Sequence, residues 1–418
     1  MKLAWFVLTL FLVWAGVPAR AGVETPGQPD SKVGLEFIDT SFENASPVWY
    51  EPGADGVVYV HLLYDRERAS PNRAAGHFHF QLQAPPGTPV TLEFKNLDNI
   101  YNGRPGSVAR ELKSAVISPD GKKWTPVPLE GLAVDRVRLT VRMPGPRLYV
   151  ARVEPYRISD LDRLLSAVRT NLNVEIRAIG KTVGGRQLEI VRLGQAQARH
   201  RVFVRARAHA WEAGPSWVVE GLIRRLLRGD ELSRKYLDDY TVYVLPMANK
   251  DAVALGRTRF NLEGKDLNRD WDKTADPDLA PENYALEQWL ADMILAGQGP
   301  QLALELHNDG NGLLHLSRSP VPGLEKYLER MKVFERLLRQ HTWFSEGSTA
   351  ESSRTPGSLG EGWLERFGID AVVHEFNCNW IEGLKDYPSA RHWQDYGASL
   401  ATVFHEYFKA VEPPEPGR

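Results

Sequence analysis

The stretch VFVRARAHAWEAGPSWVVEGLIRRLLR, residues 202–228, decides the fold of the larger half of the chain. An apolar run opens it and reads as a strand over 201–207. A helix at about 214–228 closes it, with Pro215 tolerated in the first turn. Working outward, strands near 175–182 and 187–193 meet at a Gly184-Gly185 hairpin, and further strands are expected at 241–246, 301–307 and 369–375. Helices are expected near 280–295, 323–340 and 390–410. The alternation begins with a capped amphipathic stretch from Ser159-Asp160-Leu161-Asp162 through Leu172. It predicts an α/β domain over 157–411, with a central mixed sheet flanked by helices and a flexible tail at 412–418.

Residues 22–156 have a different texture. Short runs such as VVYVHLLY (57–64), HFHFQLQ (77–83), VTLEFKNL (90–97) and VRLTVRM (137–143) alternate apolar and polar positions. Clusters such as Pro85-Pro86-Gly87 and Pro144-Gly145-Pro146 separate them, so this half reads as an all-β sandwich. His77 and His79 share one strand face, but with no third ligand nearby they read as ordinary strand residues.

At 418 residues, 43% hydrophobic and 25% charged, the chain can bury two cores, which excludes disorder and coiled coils. Residues 1–21 combine an early lysine, an apolar run shorter than a bilayer span and a small-x-small cleavage pattern at Ala19-Arg20-Ala21. This reads as a signal peptide cut after Ala21, implying a secreted or periplasmic bacterial protein with no membrane span after cleavage. Losing Lys2 and Arg20 takes the net charge from −2 to −4, too near zero for a nucleic-acid surface. Cys378 is the only cysteine, so no intramolecular disulfide forms, and the thiol reads as core filler. A monomer is the default.

His209 and Glu212, three apart at a strand end, can point into one crevice, and imidazole nitrogen with carboxylate oxygen suits zinc. His307 closes the apolar strand QLALELH and lies at the same sheet edge, where open α/β sheets bind ligands. Two histidines and one glutamate leave a fourth position for water, the pattern of a catalytic zinc. Glu375 ends the strand GIDAVVHEF and suits a general base, while His374 points to the opposite face. Between these lies LPMANKDAVALGRTRFNLEGKDLNRDW (245–271), where Arg259 and the Asn268-Arg269 pair suit carboxylate binding and oxyanion stabilisation.

Taken with IGKTVGGRQLEIVRLG (179–194) and the junction PYRISDL (155–161), these motifs resemble the M14 (funnelin) zinc carboxypeptidases. The similarity is greatest to the cytosolic-carboxypeptidase branch, which also carries a β-sandwich ahead of its catalytic domain. The resemblance implies one zinc ion on His209, Glu212 and His307, with Glu375 moving the proton and Arg259 holding the oxyanion. It implies further that Asn268 and Arg269 grip the substrate's terminal carboxylate and that Asp266 accepts a hydrogen bond from His209. Two departures stand out. Asn249-Lys250-Asp251-Ala252 replaces the family's Asn-Pro-Asp-Gly turn, and SSRTPGSLGEGW (352–363) lacks the tyrosine that digestive members place over the substrate. Arg354 lies in that stretch as a possible substrate contact.

The expected activity is hydrolysis of the C-terminal amide bond of peptides with a free carboxylate. An amidohydrolase acting on murein stem peptides or N-acyl amino acids is the alternative within enzymes. From another class comes a catalytically inactive binding protein that uses the β-sandwich.

Overall fold

The computed structural model describes residues 34–53 and 55–411; the leader and the tail read from sequence lie outside them. A seven-stranded sheet organises the larger half, in the spatial order Val174–Lys181, Gln187–Leu193, Tyr240–Leu245, His200–Ala206, Leu302–Asp309, Asp370–Asn377 and Leu314–Leu316. Its four central strands run parallel, and antiparallel strands close both edges. The central strands are buried along almost their whole length, as strands covered by helices on both faces must be. The mixed sheet read from sequence is therefore present.

The N-terminal region holds two five-stranded sheets, and both feed one hydrophobic cluster. Val58, Val60, Leu92 and Leu139 enter it from one sheet, and Phe80, Leu82, Leu148 and Val150 from the other. A third, four-stranded sheet of short strands, Asp65–Arg66, Arg73–Ala74, Asp98–Tyr101 and Arg104–Ser107, was not read from the sequence. Segments of this sheet meet the larger half. Gly264 packs so close to the strand Asp65–Arg66 that a Cβ there would stand 2.2 Å from the Arg66 carbonyl oxygen.

His77 and His79 are both buried. The His79 ring meets the Asn44 amide oxygen at 3.2 Å, and neither His77 ring nitrogen has a hydrogen-bond partner among the described residues. Cys378 is buried too, and burial pushes its thiol up to about 12, which fits the core role expected of it.

Helices Ala213–Leu226 and Ala390–Val411 cross on one face of the sheet, and small residues set their separation. A Cβ on Gly221 would lie 2.0 Å from the Gln394 carbonyl oxygen, and one on Gly397 would lie 1.8 Å from that of Val218. Gly397→Ala gains helix propensity but forces the helices apart. It is expected to lower unfolding free energy by about 1–3 kcal/mol, read as a lower urea midpoint. Burial, and secondarily the Arg157 charge, holds the His79 pKa down at about 3. The unfolded chain takes up this proton below its usual 6.5 while the folded one does not, so stability falls as pH drops from 6.5 towards 3. His79→Gln should flatten that fall by up to about 1.4 kcal/mol per pH unit in urea titrations.

Candidate active site

Three parallel strands deliver their carboxyl ends to one edge of the large sheet. After His200–Ala206 the chain turns through Arg207, which adopts φ 65° and donates from Nε to the Ala210 carbonyl at 2.8 Å. This turn presents His209 and Glu212 just before the helix Ala213–Leu226 begins. His307 and Glu375 are register partners on the neighbouring strands Leu302–Asp309 and Asp370–Asn377, so both side chains leave the same face. His374 leaves the other face and meets the Tyr396 hydroxyl at 2.6 Å, as the alternation predicts.

His209, Glu212 and His307 converge. His209 Nδ1 lies 2.8 Å from Glu212 Oε1 and 3.1 Å from His307 Nδ1, which in turn lies 2.7 Å from Glu212 Oε2. The outer ring nitrogens face carboxylates, His209 Nε2 towards Asp266 Oδ1 at 3.0 Å and His307 Nε2 towards Glu305 Oε1 at 3.2 Å. Assigning the ring hydrogens to those contacts leaves two nitrogen lone pairs and a carboxylate aimed at one point. Three ligand atoms so close could hold one metal ion, and a nitrogen and oxygen set with three protein donors fits a catalytic zinc.

Asp266 ties this triad to the cationic side of the site. Its Oδ2 accepts from Arg259 Nε and Nη2 at 2.8 and 2.7 Å while Oδ1 faces His209. Burial works against the Asp266 charge, but Arg259 and then His209 outweigh it and hold the carboxyl well below the usual range. Arg269 lines the same cavity and donates to the Asn268 carbonyl at 2.7 Å. Asn268 lines it as well, yet its side chain is already engaged. Its Oδ1 accepts from the Leu359 N–H at 2.9 Å, and its Nδ2 lies 3.0 Å from His307 Nε2, so it packs against the His307 ring besides facing the cavity.

Glu375 completes the cavity, which has a volume of about 420 Å³. Its Oε2 has no hydrogen-bond partner among the described residues, and burial first, then Asp309, push its carboxyl well above the usual glutamate range. Sequence reading missed several contributors. Glu305, two residues before His307 on the same strand face, also pairs with buried Arg205 at 3.4 Å; an acid at that spacing was the available signal. His315, on the short edge strand, enters the cavity beside Val373. Tyr101, Glu111 and Arg152 reach it from the N-terminal region, with no local pattern to announce them.

Two expectations change. Arg354 pairs with Glu361 at 3.6 Å and is not among the residues lining the cavity, whereas its neighbours Thr355 and Ser358 are. Asn249-Lys250-Asp251-Ala252 is more than an altered turn, because Asn249 caps a short helix, Lys250–Ala254. Asp251 in that helix accepts from Gly184 N–H and Arg186 Nη1, both at 2.6 Å, and so fixes the Gly184-Gly185 hairpin.

His209→Ala and His307→Ala should each abolish stoichiometric zinc, measured by elemental analysis after dialysis. Asp266→Asn, which leaves the ligands in place, should weaken zinc binding by about 10–100-fold in competition with a chelator.

The zinc carboxypeptidase model of the M14 peptidases matches residues 164–292, a segment that includes His209, Glu212, Arg259, Asp266, Asn268 and Arg269 and ends before His307 and Glu375. Cytosolic carboxypeptidase 1 of Gallus gallus is 31% identical over 163 residues, covering 34% of this chain and 13% of that protein. Cytosolic carboxypeptidase 6 of Mus musculus is 25% identical over 270 residues, covering 60% of this chain and 44% of that protein. The chain thus spans less than half the length of either relative. Among solved structures, a metallo-carboxypeptidase from Burkholderia cenocepacia superposes with a TM-score of 0.78 at 20% identity, over 91% of this chain and 100% of that one, which establishes the shared fold. Together these matches show that residues 164–292 are similar to the M14 zinc carboxypeptidases and that the chain shares the fold of a solved metallo-carboxypeptidase.

Proposed function

We propose that the protein is a zinc-dependent metallocarboxypeptidase that releases the C-terminal residue of peptides. The observation that carries this reading is the single cavity shared by His209, Glu212, Glu375, Arg259 and Arg269, with His307 Nδ1 2.7 Å from Glu212 Oε2 behind it. Bound zinc supplies Lewis acidity, which makes water a usable nucleophile near neutral pH. Arg269 binds the substrate's terminal carboxylate, which orients the last peptide bond towards the triad and leaves the clamp unpaired when an internal bond is offered. Glu375 takes the proton of the attacking water and hands it to the leaving nitrogen as the carbon–nitrogen bond breaks, giving a shortened peptide and a free amino acid. Arg259 donates to the oxyanion that forms on the former carbonyl oxygen, its guanidinium already aligned by Asp266.

The two five-stranded N-terminal sheets are, in this reading, the layers of a sandwich over residues 22–156, ahead of a catalytic domain at 157–411. The enzyme works outside the cytoplasm, a placement supported by the sequence of residues 1–21 alone. Murein stem peptides are then one accessible substrate class, since they carry free carboxylates.

Glu375→Gln keeps the shape of the side chain and removes the base, so kcat should fall by about 10²–10⁴-fold with zinc content unchanged. Arg269→Ala should raise KM for a peptide with a free C-terminus, and the wild type should leave the C-terminally amidated peptide intact. Equal cleavage of the free and amidated peptides would exclude the carboxylate clamp.

A further inference from the structure

The loop that carries Arg259 is held by the N-terminal region as much as by its own domain. Asp65, on the short strand Asp65–Arg66, accepts the Arg259 backbone N–H on Oδ2 at 2.6 Å across 194 residues of sequence. The following peptide is fixed by Asn249, whose Nδ2 donates to the Arg259 carbonyl at 3.0 Å. One residue earlier, the Thr258 hydroxyl accepts from the His77 N–H at 3.3 Å, and its carbonyl accepts from the Trp211 N–H at 2.9 Å, next to the metal ligand Glu212. Two glycines bring the surfaces together. A Cβ on Gly256 would lie 2.2 Å from the Ala45 carbonyl oxygen, and one on Gly264 would meet the Arg66 carbonyl at the same distance. Tyr101, also from the N-terminal region, places its ring 5.3 Å from the Arg259 guanidinium carbon.

Asp65 is an expensive residue to bury. It is 7% exposed, and its Oδ1 finds no hydrogen-bond partner among the described residues. Burial pushes its carboxyl up to about 6, against the backbone donor of Arg259 and the nearby charge of Arg257. A residue kept only to join two surfaces would be better replaced by an apolar one. A carboxylate oxygen at this point fixes the φ/ψ of Arg259, and hence where its guanidinium emerges relative to Asp266 and the cavity.

We propose that Asp65 is a positioning residue for the carboxypeptidase reaction, acting through Arg259, so that the N-terminal region completes the oxyanion site as well as bracing the domain. This rests on the function proposed above. Misplacing an oxyanion donor costs transition-state stabilisation and leaves ground-state binding intact, so the effect belongs in kcat.

The test is a double-mutant cycle on the zinc-loaded full chain, with hydrogen exchange of the 257–261 segment measured alongside. Asp65→Ala is expected to lower kcat on the order of tenfold, less than the ~10²–10³-fold loss for removing an oxyanion donor outright. KM and zinc content should stay within about twofold, and the Arg259 amide should lose exchange protection. Asp65→Asn, which keeps an acceptor oxygen, should restore both kcat and protection. In an Arg259→Ala background, Asp65→Ala should have almost no further effect, because the residue it positions is gone. An equal drop in both backgrounds, a loss confined to KM, or unchanged protection in Asp65→Ala would overturn the proposal. If the wild type cleaves no peptide, the enzymatic reading fails; the exchange comparison of wild type, Asp65→Asn and Asp65→Ala still decides whether Asp65 anchors Arg259.

Discussion

One carboxylate, Asp266, organises the site. Its two oxygens face different partners, the ring of His209 on one side and the guanidinium of Arg259 on the other. The Asn268 N–H adds a third contact on Oδ1 at 2.9 Å. Moving Asp266 would therefore disturb the His209 ring, the Arg259 guanidinium and the start of the Asn268-Arg269 pair together. Orientation of histidines by hydrogen-bonded carboxylates is a general device, and here the same group also aims the Arg259 guanidinium that lines the cavity.

The second constraint is the register of the large sheet. Parallel pairing sets His307 opposite Glu375, and a slip of one residue on either strand would send one of them to the face that His374 occupies. The buried pair Arg205 and Glu305 sits one layer below, and Glu305 passes its influence up to His307. Arg205 also donates to the Leu267 carbonyl and to Asn283 Oδ1, so an ion pair in the core reaches the loop that carries Asp266 and Asn268. Buried ion pairs seldom add stability over apolar packing, and this one is better understood as fixing alignment.

The central elements of the fold were legible because each has a strong local pattern. The strands at 201–207, 301–307 and 369–375 appear within a residue or two as His200–Ala206, Leu302–Asp309 and Asp370–Asn377. The convergence of His209, Glu212 and His307 was legible because these residues lie at or just beyond the carboxyl ends of neighbouring strands. Short helices were not. Leu359–Phe367 contains Gly360 and Gly362, which argue against a helix in isolation; in the fold Gly362 lets the helix lie against the Trp271 backbone, where a Cβ would stand 2.3 Å from its carbonyl oxygen. Asp65, Tyr101, Glu111 and Arg152 were illegible for another reason. Each reaches the site across a tertiary interface, and nothing in its own neighbourhood of sequence marks it.

The most direct test of the account is mass spectrometry of a mixed peptide library, including murein stem peptides, after incubation with the zinc-loaded protein in the presence and absence of a chelator. The account predicts loss of single residues from free C-termini, abolished by the chelator. Cleavage at internal bonds, or an unchanged library despite bound zinc, would contradict it.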